Sequence, residues 1–111
     1  MKLIYIAGKL NDTAVEYIKN LHNMIRTANY VRKLGFSVYI PCLDILSGLV
    51  EGDMEYHDYF SNNMPWLAQA DAILVLPNWE TSIGTKTEIE YAEKLNIPVY
   101  YSIPALLRDR E

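Results

Sequence analysis

The chain reads as an α/β fold: a single domain, residues 1–111, built on a doubly wound parallel sheet of the Rossmann or flavodoxin-like kind, with four strands in the order 2-1-3-4. Three observations lead there. Short, almost continuous apolar runs at Leu3–Ala7, Phe36–Ile40, Ala72–Leu76 and Pro98–Tyr101 have the character of strands buried on both faces. Segments with helical spacing lie between them. The first three runs are closed by Gly8, Pro41 and Pro77, residues that end strands.

Composition narrows the class. Half of the 111 residues are hydrophobic and 22% are charged, which is globular and not disordered. The net charge of −4, with Lys and Arg scattered, argues against a nucleic-acid partner but leaves room for a small anion held by one loop. A single cysteine, Cys42, excludes an internal disulfide framework and fits the cytoplasm; after Pro41 at a strand end it reads as a packed residue, not a nucleophile. The apolar stretch of MKLIYIAG is too short for a signal peptide, and no run approaches membrane-spanning length. Nine tyrosines and two tryptophans are many for this length, so some should line a pocket or a subunit contact.

Taken in order, Leu3–Ala7 is the first strand, and Gly8 lets the chain turn or lets a ligand approach the backbone. Thr13-x-x-Glu16 can form a capping box for a helix from Ala14 to Leu34, with an apolar series Val15, Ile18, Leu21, Ile25 and Ala28 and a stop at Gly35. His22 flanks that series and has no Cys or second His at metal-ligand spacing, so no metal or cofactor is expected. Phe36–Ile40 completes a right-handed βαβ unit. Cys42–Gly52 is irregular. Asp53–Gln69 reads as helix, with Pro65 expected to break it and a second piece capped by Asn62 or Asn63, whose amides would turn outward. Asp71, before the third strand, reads as a turn or cap residue. After Ala72–Leu76 come a loop, Pro77–Ile83, and a helix, Gly84–Leu95, ended by Asn96 in a left-handed conformation. Pro98–Tyr101 is the fourth strand, and Ala105–Arg110 a last frayed turn.

The sharpest functional signal lies in Asn78–Leu95. Glu88, Tyr91, Ala92 and Leu95 fall on one helical face, which makes Glu88 a carboxylate on a sheet-facing stripe that must be paired, raised in pKa or used. The order 2-1-3-4 places the ligand crevice between strands one and three, where the loops Gly8–Asp12 and Pro77–Gly84 meet and Tyr5 points into the crevice or the core. Ser82, Gly84 and Thr85 at a helix start can hold an anion, or Ser82 or Thr85 can simply cap the helix. Neither a Walker loop nor G-x-G-x-x-G is present, which argues against a dinucleotide dehydrogenase. A buried glutamate beside such a loop can serve as a general base or as a nucleophile at an oxocarbenium-like carbon.

At Ile4–Gly8 (IYIAG), Ala70–Trp79 (ADAILVLPNW) and Ser82–Glu88 (SIGTKTE) the chain resembles the nucleoside 2-deoxyribosyltransferase superfamily, most closely a small bacterial and phage branch with an L-P-x-W-E-x-S-x-G signature, to which the 2′-deoxynucleoside 5′-phosphate N-hydrolases are related. The resemblance implies that Glu88 is the nucleophile toward the anomeric carbon of deoxyribose and Tyr5 the residue that orients it. It implies phosphate contact by Ser82, a first substrate loop opened by Gly8, and a homo-oligomer, a dimer or larger, in which neighbouring subunits complete the site. Asn63 stands where that superfamily has a catalytic aspartate; Asp58 could substitute for it only if the helix were broken between them. Lys9 supplies charge where the nucleotide hydrolases have Ser and Arg. Trp79 or Trp66 could stack against a base. The expected activity is N-glycosidic-bond cleavage or deoxyribosyl transfer on deoxynucleosides or their 5′-monophosphates. The alternatives are a nucleotide-binding or sensing domain without the chemistry, or an interaction protein in which Glu88 is merely paired.

Overall fold

The computed structural model describes residues 2–10, 13–41, 50 and 56–110. The expectations for Cys42, for Asn11 and Asp12, and for the irregular stretch to Gly52 lie outside these residues. Four strands form one parallel sheet: β1 (Leu3–Ala7), β2 (Ser37–Tyr39), β3 (Ala72–Val75) and β4 (Val99–Tyr100), in the order β2-β1-β3-β4. The helices are α1 (Ala14–Lys33), α2 (Tyr56–Ala68), α3 (Ile83–Lys94) and α4 (Ile103–Arg110), with a short 3₁₀ turn at Trp79–Thr81.

Two apolar cores lie on opposite faces of the sheet because side chains alternate along each strand. Ile4 and Ile6 of β1 and Ala72 and Leu74 of β3 pack with Met24, Ala28 and Val31 of α1 and Leu106 of α4. Tyr5, Ala7, Ile73 and Val75 pack with Met64 and Leu67 of α2 and Ile89 and Ala92 of α3. The sheet is therefore covered on both sides, as strands without polar alternation require. No helix among the described residues is long and apolar enough to cross a membrane.

The helix ends follow their sequence signals. Thr13 Oγ1 accepts the Glu16 amide at 3.4 Å, Gly35 closes α1 with φ of 101°, and Asn96 closes α3 with φ of 59°. The faces differ from expectation. On α1 the buried side chains are Met24, Ala28 and Val31, while Val15 and Ile18 are 63% and 55% exposed. The five-residue β1 spans about 17 Å and the twenty-residue α1 about 30 Å, so the sheet cannot cover the whole helix. The uncovered turns lie at the carboxyl end of the strands. α4 begins at Ile103, earlier than the frayed turn expected, and buries Leu106 completely; the Tyr100 hydroxyl donates to Asp109 Oδ2 at 2.8 Å and ties it to β4.

The expected break at Pro65 is absent: α2 runs without interruption from Tyr56 to Ala68. A proline inside a helix costs about 3 kcal/mol through the lost N–H bond and the clash with the preceding turn. Burying Met64 and Leu67, 7% and 0% exposed, contributes about 1.5–3 kcal/mol each and outweighs it. Pro65 itself is exposed, on the side of the helix away from the core.

Asp71 is structural, as read. Its Oδ2 accepts the backbone N–H groups of Lys2 and Leu3, both at 2.8 Å, and so fastens the start of β1 beside β3. Those two bonds hold its carboxyl below the ordinary value of 3.8. A carboxylate lowered in the folded state stabilises fully above its unfolded pKa, and that contribution is lost as pH falls through the lower folded one. Asp71→Ala is therefore expected to cost about 1 kcal/mol near neutral pH, a value reduced by solvent screening, and the difference from wild type should vanish in acid. Urea unfolding at neutral and strongly acidic pH checks this; a cost that persists unchanged in acid would rule out the charged cap.

Candidate functional site

The site grows from two tyrosines on neighbouring strands. In the parallel pairing of β1 with β2, Tyr5 lies opposite Tyr39. Both side chains rise on the α2–α3 face, and their rings stack with centroids 5.5 Å apart and planes 24° from parallel. Each phenol holds one polar side chain from the helices above. The Tyr5 hydroxyl donates to Glu88 Oε2 on α3. The Tyr39 hydroxyl donates to Asn63 Oδ1 on α2 at 2.8 Å. Trp66, one turn beyond Asn63, stacks on the outer face of Tyr39 at 5.4 Å and 12°, with half of its surface exposed. The result is a three-ring stack, Tyr5–Tyr39–Trp66, running from the buried carboxylate partner to solvent.

Glu88 is half-buried at the margin of the α3 core stripe and not on its centre. The buried positions are Thr85, Ile89 and Ala92; Leu95, expected in the stripe, is 44% exposed. The buried face begins one turn earlier than the spacing from Glu88 indicates, at Thr85. Its side chain can be buried because Thr85 Oγ1 donates to Ser82 Oγ at 2.9 Å. Asn63 does not turn outward: with α2 unbroken it is buried against Tyr39, and Asn62 is the exposed one. The break on which a role for Asp58 depended does not occur.

The loops after β1 and β3 meet where the topology requires. Lys9 Nζ donates to Thr81 Oγ1 at 2.9 Å, joining the first loop to the 3₁₀ turn. Asn78 enters that turn with φ of 69°. Ser82 is the N-cap of α3; its Oγ accepts the Thr85 amide at 3.2 Å. Gly84 sits in the first turn, which begins at Ile83 and not at Gly84 as expected. Trp79 stands apart from the tyrosine pair, stacked at a 42° tilt on Tyr101, with centroids 5.4 Å apart. Gly8 lies against Leu76: a Cβ there would meet Leu76 Cδ1 at 2.9 Å and Leu76 Cβ at 3.1 Å, so a side chain at residue 8 would require Leu76 to shift. Among the described residues no group of three or more His, Cys, Asp or Glu could hold a metal ion.

Tyr39 and Thr81 were not singled out from sequence. The signal for Tyr39 was available, a second tyrosine at the end of a strand adjacent to the one bearing Tyr5, but it depends on register. Thr81 carried no signal of its own.

A family model matches residues 2–101, that of a domain of unknown function, DUF4406. The chain belongs to the DUF4406 family. No curated protein matches it. The match covers every DUF4406 residue of the site described above, from Tyr5 and Lys9 through Tyr39 and Asn63 to Glu88.

Two consequences can be measured on this DUF4406 chain without a ligand. Gly8→Ala must displace Leu76 and should destabilise by about 1–3 kcal/mol, the usual range for overpacking; thermal unfolding that shows no loss would refute the close approach. A double-mutant cycle between Tyr5→Phe and Glu88→Ala should give a coupling of about 1–2 kcal/mol in urea unfolding, since the bond carries a carboxylate. Strict additivity would mean that the two groups do not depend on one another.

Proposed function

We propose that this chain is a relative of the nucleoside 2-deoxyribosyltransferases and cleaves or exchanges the N-glycosidic bond of deoxynucleosides or their 5′-monophosphates through Glu88. The observation that carries the reading is the bond between Tyr5, in the middle of β1, and Glu88 of α3. It ties a half-buried carboxylate of α3 to the strand that borders the switch point of the sheet, and ligands bind at such points in folds of this kind, which supports the reading. A carboxylate can attack the anomeric carbon as a nucleophile, and the glycosyl ester divides one high barrier into two lower ones. Tyr5 orients the nucleophile. Lys9 and the Ser82–Thr85 turn, with the first amides of α3, supply positive potential for a 5′-phosphate. Trp66 offers an open ring face to a base.

A second reading is supported by Asn63. An amide in place of a proton donor suits a domain that binds nucleotides and senses them without turnover. The cytoplasm is the setting we infer from the single cysteine, and exposed Val15 and Ile18 support a homo-oligomer.

Chromatographic assay of base release decides between the readings. The protein is incubated with the four deoxynucleosides and their four 5′-monophosphates, with Glu88→Ala as the control. Free base that disappears in the variant, while the variant's melting temperature is kept, is the outcome the enzyme reading requires. A nucleotide that raises the melting temperature without release of base would favour the sensor. Glu88→Ala that unfolds the protein but leaves release intact would remove Glu88 from the chemistry.

A further inference from the structure

The Tyr5–Glu88 bond is made at the far end of the tyrosine side chain, so a small rotation near the backbone becomes a large displacement of the phenolic oxygen. A group stacked on the Tyr5 ring therefore bears on where the carboxylate is held. The Tyr39 ring is such a group. Its centroid lies 5.5 Å from that of Tyr5 with 24° between the planes, within the range that stacked aromatic pairs prefer. Tyr39 is itself well anchored. The pairing of β1 with β2 sets it opposite Tyr5. Trp66 of α2 stacks on its outer face at 5.4 Å and 12°. Its hydroxyl donates to Oδ1 of the buried Asn63 at 2.8 Å. The ring and the hydroxyl of Tyr39 thus have different partners: the ring meets Tyr5, and the hydroxyl meets α2.

Resting on the glycosidic reading above, we propose that Tyr39 is a positioning residue for Glu88: its ring fixes the Tyr5 phenol by stacking, and through Tyr5 it fixes the carboxylate. The hydroxyl of Tyr39 serves the same end at one remove, by tying the ring to α2. The stack thereby joins Trp66 and Asn63 of α2 to Glu88 of α3 through two neighbouring strands. A flat ring suits this task better than an aliphatic side chain, because a stacked face restricts the tilt of its neighbour as well as its distance. Reacting groups have to be held to within about 0.5 Å of their productive geometry. A misplacement of about 1 Å can cost about 10²-fold in rate. Loss of the Tyr39 ring should therefore register in kcat and not in KM, since Tyr39 acts on the carboxylate and not on the substrate.

The test measures the Tyr5–Glu88 coupling and base release on the same variants. The double-mutant cycle of Tyr5→Phe with Glu88→Ala is repeated by urea unfolding in Tyr39→Ile and Tyr39→Phe backgrounds. Isoleucine suits a strand and fills space without a flat face. In Tyr39→Ile the coupling should fall to half or less of its wild-type value. In Tyr39→Phe, which restores the ring, it should recover. Base release is followed with the four deoxynucleosides and their four 5′-monophosphates, with Glu88→Ala as background. Tyr39→Ile should lower kcat by at least about tenfold and change KM by less than about threefold, and Tyr39→Phe should recover most of the lost kcat. A coupling that Tyr39→Ile leaves unchanged, or an equal loss of kcat in both variants, would overturn the proposal while leaving the glycosidic reading in place. If Tyr39→Ile fails to fold, Tyr39→Phe decides alone: coupling kept there supports the ring's role, and coupling lost there assigns the effect to the hydroxyl and overturns the proposal. No Glu88-dependent release from any of the eight compounds would overturn both.

Discussion

The register between β1 and β2 is the constraint on which the site depends. It sets Tyr5 opposite Tyr39, and the alternation of side chains sends both toward α2 and α3. A slip of one residue would turn Tyr5 to the α1 face and bring Ile4 or Ile6 under Glu88. The slip is opposed from both sides, since β1 is an inner strand, paired to β2 and β3, and buries Ile4 through Ala7 completely. The phenols then do for α2 and α3 what apolar contacts alone could not. Each supplies a hydrogen bond to a polar side chain, and so helps a carboxylate and an amide to sit beside the core.

The second constraint is the close approach of the two loops at the switch point. Gly8 and Leu76 follow directly on the last register pair of β1 with β3, and Leu76 N–H donates to the Ala7 carbonyl, so the strands stay joined to the point where the loops begin. Beyond it the connection is polar, through Lys9 and Thr81. The cap at Ser82 satisfies the Thr85 amide and also allows Thr85 to be buried, and this rotates the α3 stripe so that Glu88 falls on its edge. A carboxylate at the edge keeps access to a crevice; on the stripe's centre it would be sealed against Ile73 and Val75.

Much of this architecture was legible in the residues. Continuous apolar runs identified all four strands, and the topology followed from the alternation of strand and helix. Gly35, Asn96 and Thr13 marked helix ends correctly because cap chemistry is local. The spacing marked Glu88 as a carboxylate that must be paired or used, and its tie to Tyr5 was what the family resemblance implied. What failed had a common origin. Pro65 was weighed by its local cost alone, without the two core side chains that flank it. Val15 and Ile18 were assigned to the core by spacing alone, without the length of the sheet that had to cover them. Leu95 was counted as buried from its spacing to Glu88 alone.

The sequence by itself determined the parallel sheet and the helix ends at Thr13, Gly35 and Asn96, because each rests on periodicity, backbone preference or the chemistry of one residue. Only the tertiary structure decided that Asn63 is held inward by Tyr39, that Trp66 and not Trp79 joins the tyrosine stack, and that Gly8 lies against Leu76. Those facts depend on which strands are neighbours, in what register, and on how far a helix extends past a sheet. Residues far apart in the chain meet only when packing brings them together, and no local pattern records the distance between them.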